Sequence, residues 1–332
     1  MAKVTLSSAK FFSVPSGLSI LDAAFKAKIA LPYSCKSGRC STCKCKVTSG
    51  STRALYPEIG LTEHEKAEGW ILSCVRSLES DVSLEVEDLD GIEVPAAQTL
   101  PCRISSIDRL AKDVVRVFLR LPPAVDFRFI PGQYIDVIGP EGVRRSYSLA
   151  NSCFADKLLE LHIRCVQGGT MSNYWFNQAK PNDLLRLNGP LGTFFLREIA
   201  DMDLIFLATG TGIAPVKSML KSIPNLLPGK RPKTVTVVWG GRQLQDLYFN
   251  VEEIPGLYTY IQVLSRPADG WAGAKGYVQG VILSKNLDLS NTVVYACGSD
   301  AMIQSAKTQL GKIGLSDKCF YSDAFVSSGS NY

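Results

Sequence analysis

Four cysteines carry the first chemical signal. Cys35, Cys40, Cys43 and Cys74 are spaced C-x4-C-x2-C, then thirty residues, then C. Thiolates at this spacing can hold a [2Fe–2S] cluster, which moves electrons one at a time. Three thiols within nine residues force the backbone to wrap a small centre and aim N–H groups at sulfur, which tunes its potential. Gly38 supplies the backbone freedom such a loop needs. Cys74 arrives from a separate apolar segment, Trp70-Ile-Leu-Ser-Cys-Val, that would close the site. Zinc is the competing reading, because C-x2-C pairs favour it. A zinc site would normally add a second such pair or histidines at matching spacing, and His64 and His162 are the only histidines. Disulfides fit poorly: ten cysteines in 332 residues is a low density, and nothing at the N-terminus resembles a signal peptide. Cys45 reads as a strand residue leaving the loop and not as a ligand. Cys102, Cys153, Cys165 and Cys319 read as buried, unreactive thiols.

Three further groups of residues could bind organic cofactors. In Arg145-Ser-Tyr147-Ser148, residues two apart share one face of a strand, so a cation stands beside a flat aromatic surface. That pairing can hold an anion and a ring system, although an ordinary strand with a surface Arg and Tyr would look the same. From His162 through Arg164 to Gly168, Gly169, Thr170, Met171 and Ser172, a strand runs through a Gly-Gly turn into a helix start. There the backbone can approach a phosphate, and hydroxyls stand where anions are favoured. Finally, Thr209-Gly210-Thr211-Gly212-Ile-Ala-Pro215 follows a short apolar strand and opens a helical pattern. Strand, glycine turn and helix form a dinucleotide pyrophosphate site. Pro215 breaks the G-x-G-x-x-G pattern, which disfavours an ordinary dinucleotide dehydrogenase. Cys297-Gly298 lies at the end of another apolar strand, where ligands of parallel sheets bind.

The elements that must position these groups fall into three regions. Residues 1–93 show short strands at Val4–Leu6, Phe11–Val14 and Val82–Val86, with a helix starting after Ser19, where Asp22 makes a capping-box-like start. Residues 99–198 alternate in short strands at Cys102–Ile107, Val114–Arg120, Tyr134–Ile138, Ser146–Ala150 and Leu158–Val166, with a tight turn at Asn188–Thr193. That spacing suggests an antiparallel barrel. Residues 199–332 switch to βαβ patterning, with strands at Asp203–Ala208, Thr234–Trp239 and Val293–Ala296. The expected class is multidomain α+β and α/β.

Composition narrows the function. The chain is 46% apolar, with a formal charge of +5. Residues 1–93 hold 11 basic and 12 acidic side chains, and the rest hold 25 and 19. No dense basic tract supports nucleic-acid binding. No apolar run approaches the roughly 20 residues needed to span a bilayer. Free thiols and the absence of an export signal point to the cytoplasm.

The order of these motifs resembles known families along the whole chain. Residues 1–93 resemble the β-grasp fold of plant-type [2Fe–2S] ferredoxins. The later regions resemble the ferredoxin–NADP reductase superfamily, with an antiparallel flavin-binding barrel and a parallel nicotinamide-binding domain. The resemblance implies FAD, with Arg145 on its phosphates, Tyr147 packed on the isoalloxazine, Ser148 hydrogen-bonded near N5, and Gly169 and Ser172 at the pyrophosphate. It places Cys297 and Gly298 beside the nicotinamide, making Ser148 and Cys297 the candidate catalytic residues. Phe325, near the C-terminus, could cover the isoalloxazine or belong to the core. Gly240-Gly-Arg242 offers one cation for a 2′-phosphate, which favours NADH over NADPH. Stretches such as Arg145-Ser-Tyr-Ser-Leu-Ala-Asn151 and Phe320-Tyr-Ser-Asp-Ala-Phe325 are similar to the CDP-6-deoxy-Δ3,4-glucoseen reductases of bacterial 3,6-dideoxyhexose synthesis. That likeness implies electron delivery to a pyridoxamine-phosphate iron–sulfur dehydratase. The reductase component of an aromatic-ring or alkane oxygenase shares every cofactor motif and is the alternative.

Overall fold

A computed structural model describes residues 2–89, 91–152 and 157–325. Chain contacts divide it into two compact units, one ending at Val94 and one running from Pro95 to Phe325.

In the first unit a five-stranded sheet has the order Phe11–Val14, Ala2–Leu6, Val82–Glu85, Lys44–Ser49, Trp70–Leu72. Ala2–Leu6 pairs antiparallel with Phe11–Val14 and parallel with Val82–Glu85. The helix Ile20–Lys26 turns Ile20, Leu21, Ala23 and Ala24 onto this sheet. Ser19 caps it by accepting the Asp22 N–H at 3.1 Å. The expected reciprocal arm differs: the Asp22 carboxylate accepts from the Ser19 hydroxyl, at 2.7 Å, so the local bond is side chain to side chain.

The second unit contains two sheets. The first has the order Arg144–Ser148, Tyr134–Ile138, Leu184–Leu191, Gln98–Ala111, Val114–Arg120, Leu158–Arg164, and its neighbours pair antiparallel. A bridge between Leu149 and Leu161 joins its two edges, so the sheet closes into a barrel. Closure removes the exposed edges that an open sheet would leave. The turn expected at Asn188–Thr193 is mostly strand: Leu184–Leu191 runs through it with a cis Gly189–Pro190 bond, and the chain turns at Gly192, φ +84°. Gly and Pro suggested a turn there, but Asn188 and Leu187 pair with Thr99 and Leu100 across the sheet.

The other sheet is wholly parallel, with the order Ala274–Lys275, Thr259–Leu264, Thr234–Gly241, Asp203–Thr209, Thr292–Gly298, Phe320–Ala324. Leu204 to Ala208 and Thr292 to Gly298 are buried throughout, as parallel strands covered on both faces must be. Strand order reverses between Asp203–Thr209 and Thr292–Gly298, which opens a crevice at their C-terminal ends, the place where ligands bind in such sheets. No helix among the described residues is long and apolar enough to cross a membrane.

Candidate functional site

The cluster loop is built by close backbone contacts. Gly38 adopts φ +72°, and a Cβ there would stand 2.5 Å from the Pro57 carbonyl oxygen. Gly60 donates its N–H to the Gly38 carbonyl at 2.9 Å, and Ser41 donates its hydroxyl to the Gly60 carbonyl at 2.5 Å. The segment bearing Cys74 is braced by buried Glu58, which accepts the Leu72 N–H at 2.7 Å and pairs with Arg76 at 3.0 Å. The four thiols come as two pairs. The Cys35 N–H donates to Cys40 Sγ at 3.4 Å, and Cys43 Sγ lies 3.2 Å from Cys74 Sγ. The Cys40 thiol donates to the Cys35 sulfur and pulls its pKa down to about 5, aided by the Ser37 N–H and opposed by burial. Cys74 is lowered likewise by Cys43, while Cys40 and Cys43 are raised. Among the described residues, no three Cys, His, Asp or Glu side chains converge on a point where one ion could sit. Two pairs of thiols suit a two-iron cluster better than a single tetrahedral zinc. Cys45 lies on the strand Lys44–Ser49 opposite Ile71, inside the core, where burial pushes its pKa up to about 12. Cys102 is buried as expected, but Cys165 is exposed and Cys319 half-buried, because each lies where a strand ends or begins. Cys153 lies outside the described residues.

On the barrel, alternation along Arg144–Ser148 separates two faces. Arg144 and Ser146 both reach Asp136, at 3.5 and 2.6 Å. Arg145 and Tyr147 face the other way. Arg145 bonds the Arg144 carbonyl at 2.7 Å and has no carboxylate partner among the described residues, which leaves its charge available to an anion. The Tyr147 hydroxyl accepts from Trp175 Nε1 at 3.0 Å, and the two rings meet edge to face, so the tyrosine plane is held. Ser148 is buried, and its hydroxyl has no hydrogen-bond partner among the described residues. A fixed ring, an unpaired cation and a free hydroxyl on one strand suit a flavin. Gly168, at φ +73°, faces open space, and the Ser172 hydroxyl closes the turn by accepting the Val166 N–H at 2.8 Å. Met171 packs in the barrel core, where a Cβ on Gly139 would touch its sulfur.

His162 is likewise engaged internally. Its Nε2 lies 3.0 Å from a Glu160 oxygen, and its Nδ1 lies 3.1 Å from the Tyr248 hydroxyl. An ionised carboxylate only accepts, so Nε2 carries the proton and Nδ1 accepts from Tyr248. Burial lowers the His162 pKa, outweighing Glu160. Burial would raise Glu160, but the His162 bond and the Lys217 charge bring it down to about 2. Lys217 sits on the helix Ile213–Ser222 and forms a short ion pair with Glu160. Glu160, Lys217, Tyr248 and Trp239 escaped the sequence reading. The one available signal was that Glu160 and His162 lie two apart on a strand. Arg164 pairs with Asp113 at 3.0 Å and lies against the glycine turn, where a Cβ on Gly210 would meet its guanidinium at 2.6 Å.

The parallel-sheet crevice depends on close approach. A Cβ on Gly212 would stand 2.2 Å from the Cys297 carbonyl oxygen, and one on Gly298 would stand 2.1 Å from Thr209 Oγ1. Thr209 Oγ1 also accepts the Ser299 N–H at 3.3 Å. Thr211 is half-exposed at the turn. Cys297 is wholly buried, and burial raises its thiol pKa further than the nearby Asp323 does. Phe325 donates its N–H to the Gly298 carbonyl at 2.9 Å, and its side chain is 41% exposed at this crevice. These glycine turns suit a dinucleotide.

Fold and site together define an NAD(P)H-dependent iron–sulfur flavoprotein oxidoreductase. The chain matches three family models: a 2Fe-2S iron-sulfur cluster binding domain at residues 4–79, an oxidoreductase FAD-binding domain at 101–196, and an oxidoreductase NAD-binding domain at 206–308. It belongs to the ferredoxin–NADP reductase family, in the branch with an N-terminal [2Fe–2S] domain. It is 39% identical over 315 residues to the CDP-6-deoxy-L-threo-D-glycero-4-hexulose-3-dehydrase reductase of Yersinia pestis, covering 93% of this chain and 94% of that one. It is 32% identical over 321 residues to the reductase component of the naphthalene 1,2-dioxygenase/salicylate 5-hydroxylase systems of a Ralstonia species, covering 95% of both. Among solved structures it resembles the Amycolatopsis cytochrome P450 reductase GcoB, with a TM-score of 0.76 and 28% identity, over 98% of this chain and 99% of that one.

Proposed function

We propose that this reductase draws electrons from NADH and delivers them to the dehydratase that 3-deoxygenates a CDP-4-keto-6-deoxyhexose in the cytoplasm. The observation that carries this reading is the 39% identity to the Yersinia pestis reductase, which spans all three cofactor regions. The lower identity to the Ralstonia dioxygenase reductase supports electron supply to an oxygenase as the second reading.

Residues 1–93, 99–198 and 199–332 are the functional divisions of the chain. When bound, the cofactors supply hydride acceptance and single-electron transfer. The chain supplies binding and orientation. Cys35, Cys40, Cys43 and Cys74 hold the cluster. Arg145 offsets flavin phosphate charge, Tyr147 presents a fixed aromatic plane, and Ser148 directs its free hydroxyl at the flavin ring. Gly168, Gly169 and Ser172 form the pyrophosphate turn. Thr209 to Gly212 receive the nicotinamide dinucleotide, and Gly298 leaves room beside it, with Cys297 as the buried floor. Hydride transfer needs reacting atoms about 3–3.5 Å apart, so positioning is the main demand on the protein. NADH is favoured because Gly240-Gly-Arg242 offers a single cation for a 2′-phosphate.

The test is anaerobic turnover with NADH, a CDP-4-keto-6-deoxyhexose and the matching dehydratase. A 3-deoxy sugar that disappears with Cys40→Ser supports the reading. Brisk NADH-driven dye reduction without sugar product moves the oxygenase reading to first place.

A further inference from the structure

The barrel and the parallel sheet meet at a buried polar cluster whose side chains bond to one another. Glu160 and Lys217 are 4% and 9% exposed, and each comes from a different sheet system. Beside them the Ser218 hydroxyl donates to the Asn151 carbonyl at 2.7 Å. Asn151 is tied back to the barrel: its amide donates to the Leu158 carbonyl at 2.9 Å, and its oxygen accepts the Glu160 N–H at 3.0 Å. Asn151 follows Ser148 by three residues, so it anchors the exit of the Arg144–Ser148 strand. On the other side, His162 holds the Tyr248 hydroxyl, and the Tyr248 ring meets Trp239 edge to face at 5.1 Å. Trp239 Nε1 donates to the Gly210 carbonyl at 3.0 Å. A continuous set of contacts therefore runs from the flavin strand to the dinucleotide turn. Arg116, itself paired with Asp108, and Lys221 are the other charges near the pair.

We propose that the Glu160–Lys217 pair, with His162, Ser218 and Asn151, is a positioning clamp that keeps the nicotinamide turn in register with the flavin strand. Buried ion pairs add little net stability over apolar packing, whereas their directional bonds can specify one geometry. Two anchors on successive residues, Lys217 and Ser218, fix both the position and the rotation of the helix that opens at Gly212. The inference rests on the NADH-to-flavin reading above. They act as positioning residues through their bonds to one another.

The experiment uses the full chain loaded with FAD and cluster. The double variant Glu160→Gln/Lys217→Met keeps the packing and leaves no lone buried charge, which the single Lys217→Met would. Lys230→Met, breaking the exposed pair with Glu198, is the control. Single-turnover flavin bleaching by NADH should slow about 10- to 100-fold in the double variant, the scale of a 1 Å misplacement. NADH affinity and flavin and iron content should stay near wild type. The deuterium isotope effect should rise as transfer alone limits the rate. Amide exchange over residues 158–164 and 213–222, measured without NADH, should quicken. An unchanged transfer rate, or slowing that merely tracks lost flavin or a lower melting point, would overturn the clamp. If wild-type protein is not bleached by NADH, the reductase reading fails, and the amide-exchange arm still decides whether the clamp exists.

Discussion

Gly212 and Cys297, 85 positions apart, meet so closely that a single methyl group on the glycine would stand 2.2 Å from the cysteine carbonyl oxygen. The contact joins the ends of the two strands that flank the crevice. Gly212→Ala should therefore force those ends apart. The expected cost is about 1–3 kcal/mol, typical of overpacking, with weakened NADH binding and flavin binding little changed. Denaturant unfolding and NADH titration check it; normal affinity for NADH would show that the crevice tolerates the shift.

The cluster loop makes its own prediction. Cys40→Ser should remove the cluster, seen as lost iron and sulfide, while NADH still reduces the flavin and dyes that accept from it. Cys45→Ala should retain full iron content, since its sulfur lies in the core beside Ile71. Its stability cost should be small, on the order of 1 kcal/mol. Iron loss in Cys45→Ala would assign that thiol to the cluster.

Arg145 has no carboxylate partner among the described residues, unlike its neighbour Arg144. Arg145→Ala should weaken FAD binding by roughly 10- to 100-fold, the equivalent of one charge-assisted bond of about 1.5–3 kcal/mol. Arg144→Ala should leave it nearly unchanged. Fluorescence titration of flavin-free protein measures both, and equal losses would show that the two faces of the strand are not functionally distinct.

Stability of the second unit should fall in acid. The Glu160 pKa is held down to about 2 by His162 and Lys217 against the opposing effect of burial. A depressed carboxyl stabilises the fold above its unfolded value of about 4.3, and the contribution is lost as pH drops from there toward 2. It is on the order of 2–3 kcal/mol. His162, lowered by burial, acts with the same sign just below its ordinary value, because unfolding lets it take a proton. Glu160→Gln should flatten the stability-versus-pH curve between about pH 4 and 2. An unaltered slope would mean that other carboxylates dominate acid unfolding.

Short-range chemistry was legible in the chain itself. The Cys35–Cys43 loop, the Arg145–Ser148 alternation, the Ser19 cap and the Thr209–Gly212 turn all depend on neighbours within a few residues, where backbone geometry follows directly from residue type. The apolar runs at Asp203–Thr209 and Thr292–Gly298 likewise announced parallel strands buried on both faces. Local signals misled at Asn188–Leu191, where Gly and Pro suggested a turn but cross-strand pairing of Asn188 and Gly189 to Thr99 and Gln98 made a strand. Long-range partners left no such mark. Cys43 meets Cys74, Glu160 meets Lys217 and His162 meets Tyr248 across separations of 31, 57 and 86 residues. Residue type showed that a lysine, a glutamate and a histidine existed; only packing could decide that they share one buried site, because desolvation makes the lysine and glutamate charges require each other and the neutral imidazole require hydrogen-bond partners. The same packing moved His162 and Met171 into internal contacts and enclosed Cys297 completely. Residue chemistry and spacing thus determined which cofactors this protein can hold, and the tertiary structure decided how their sites are held in register.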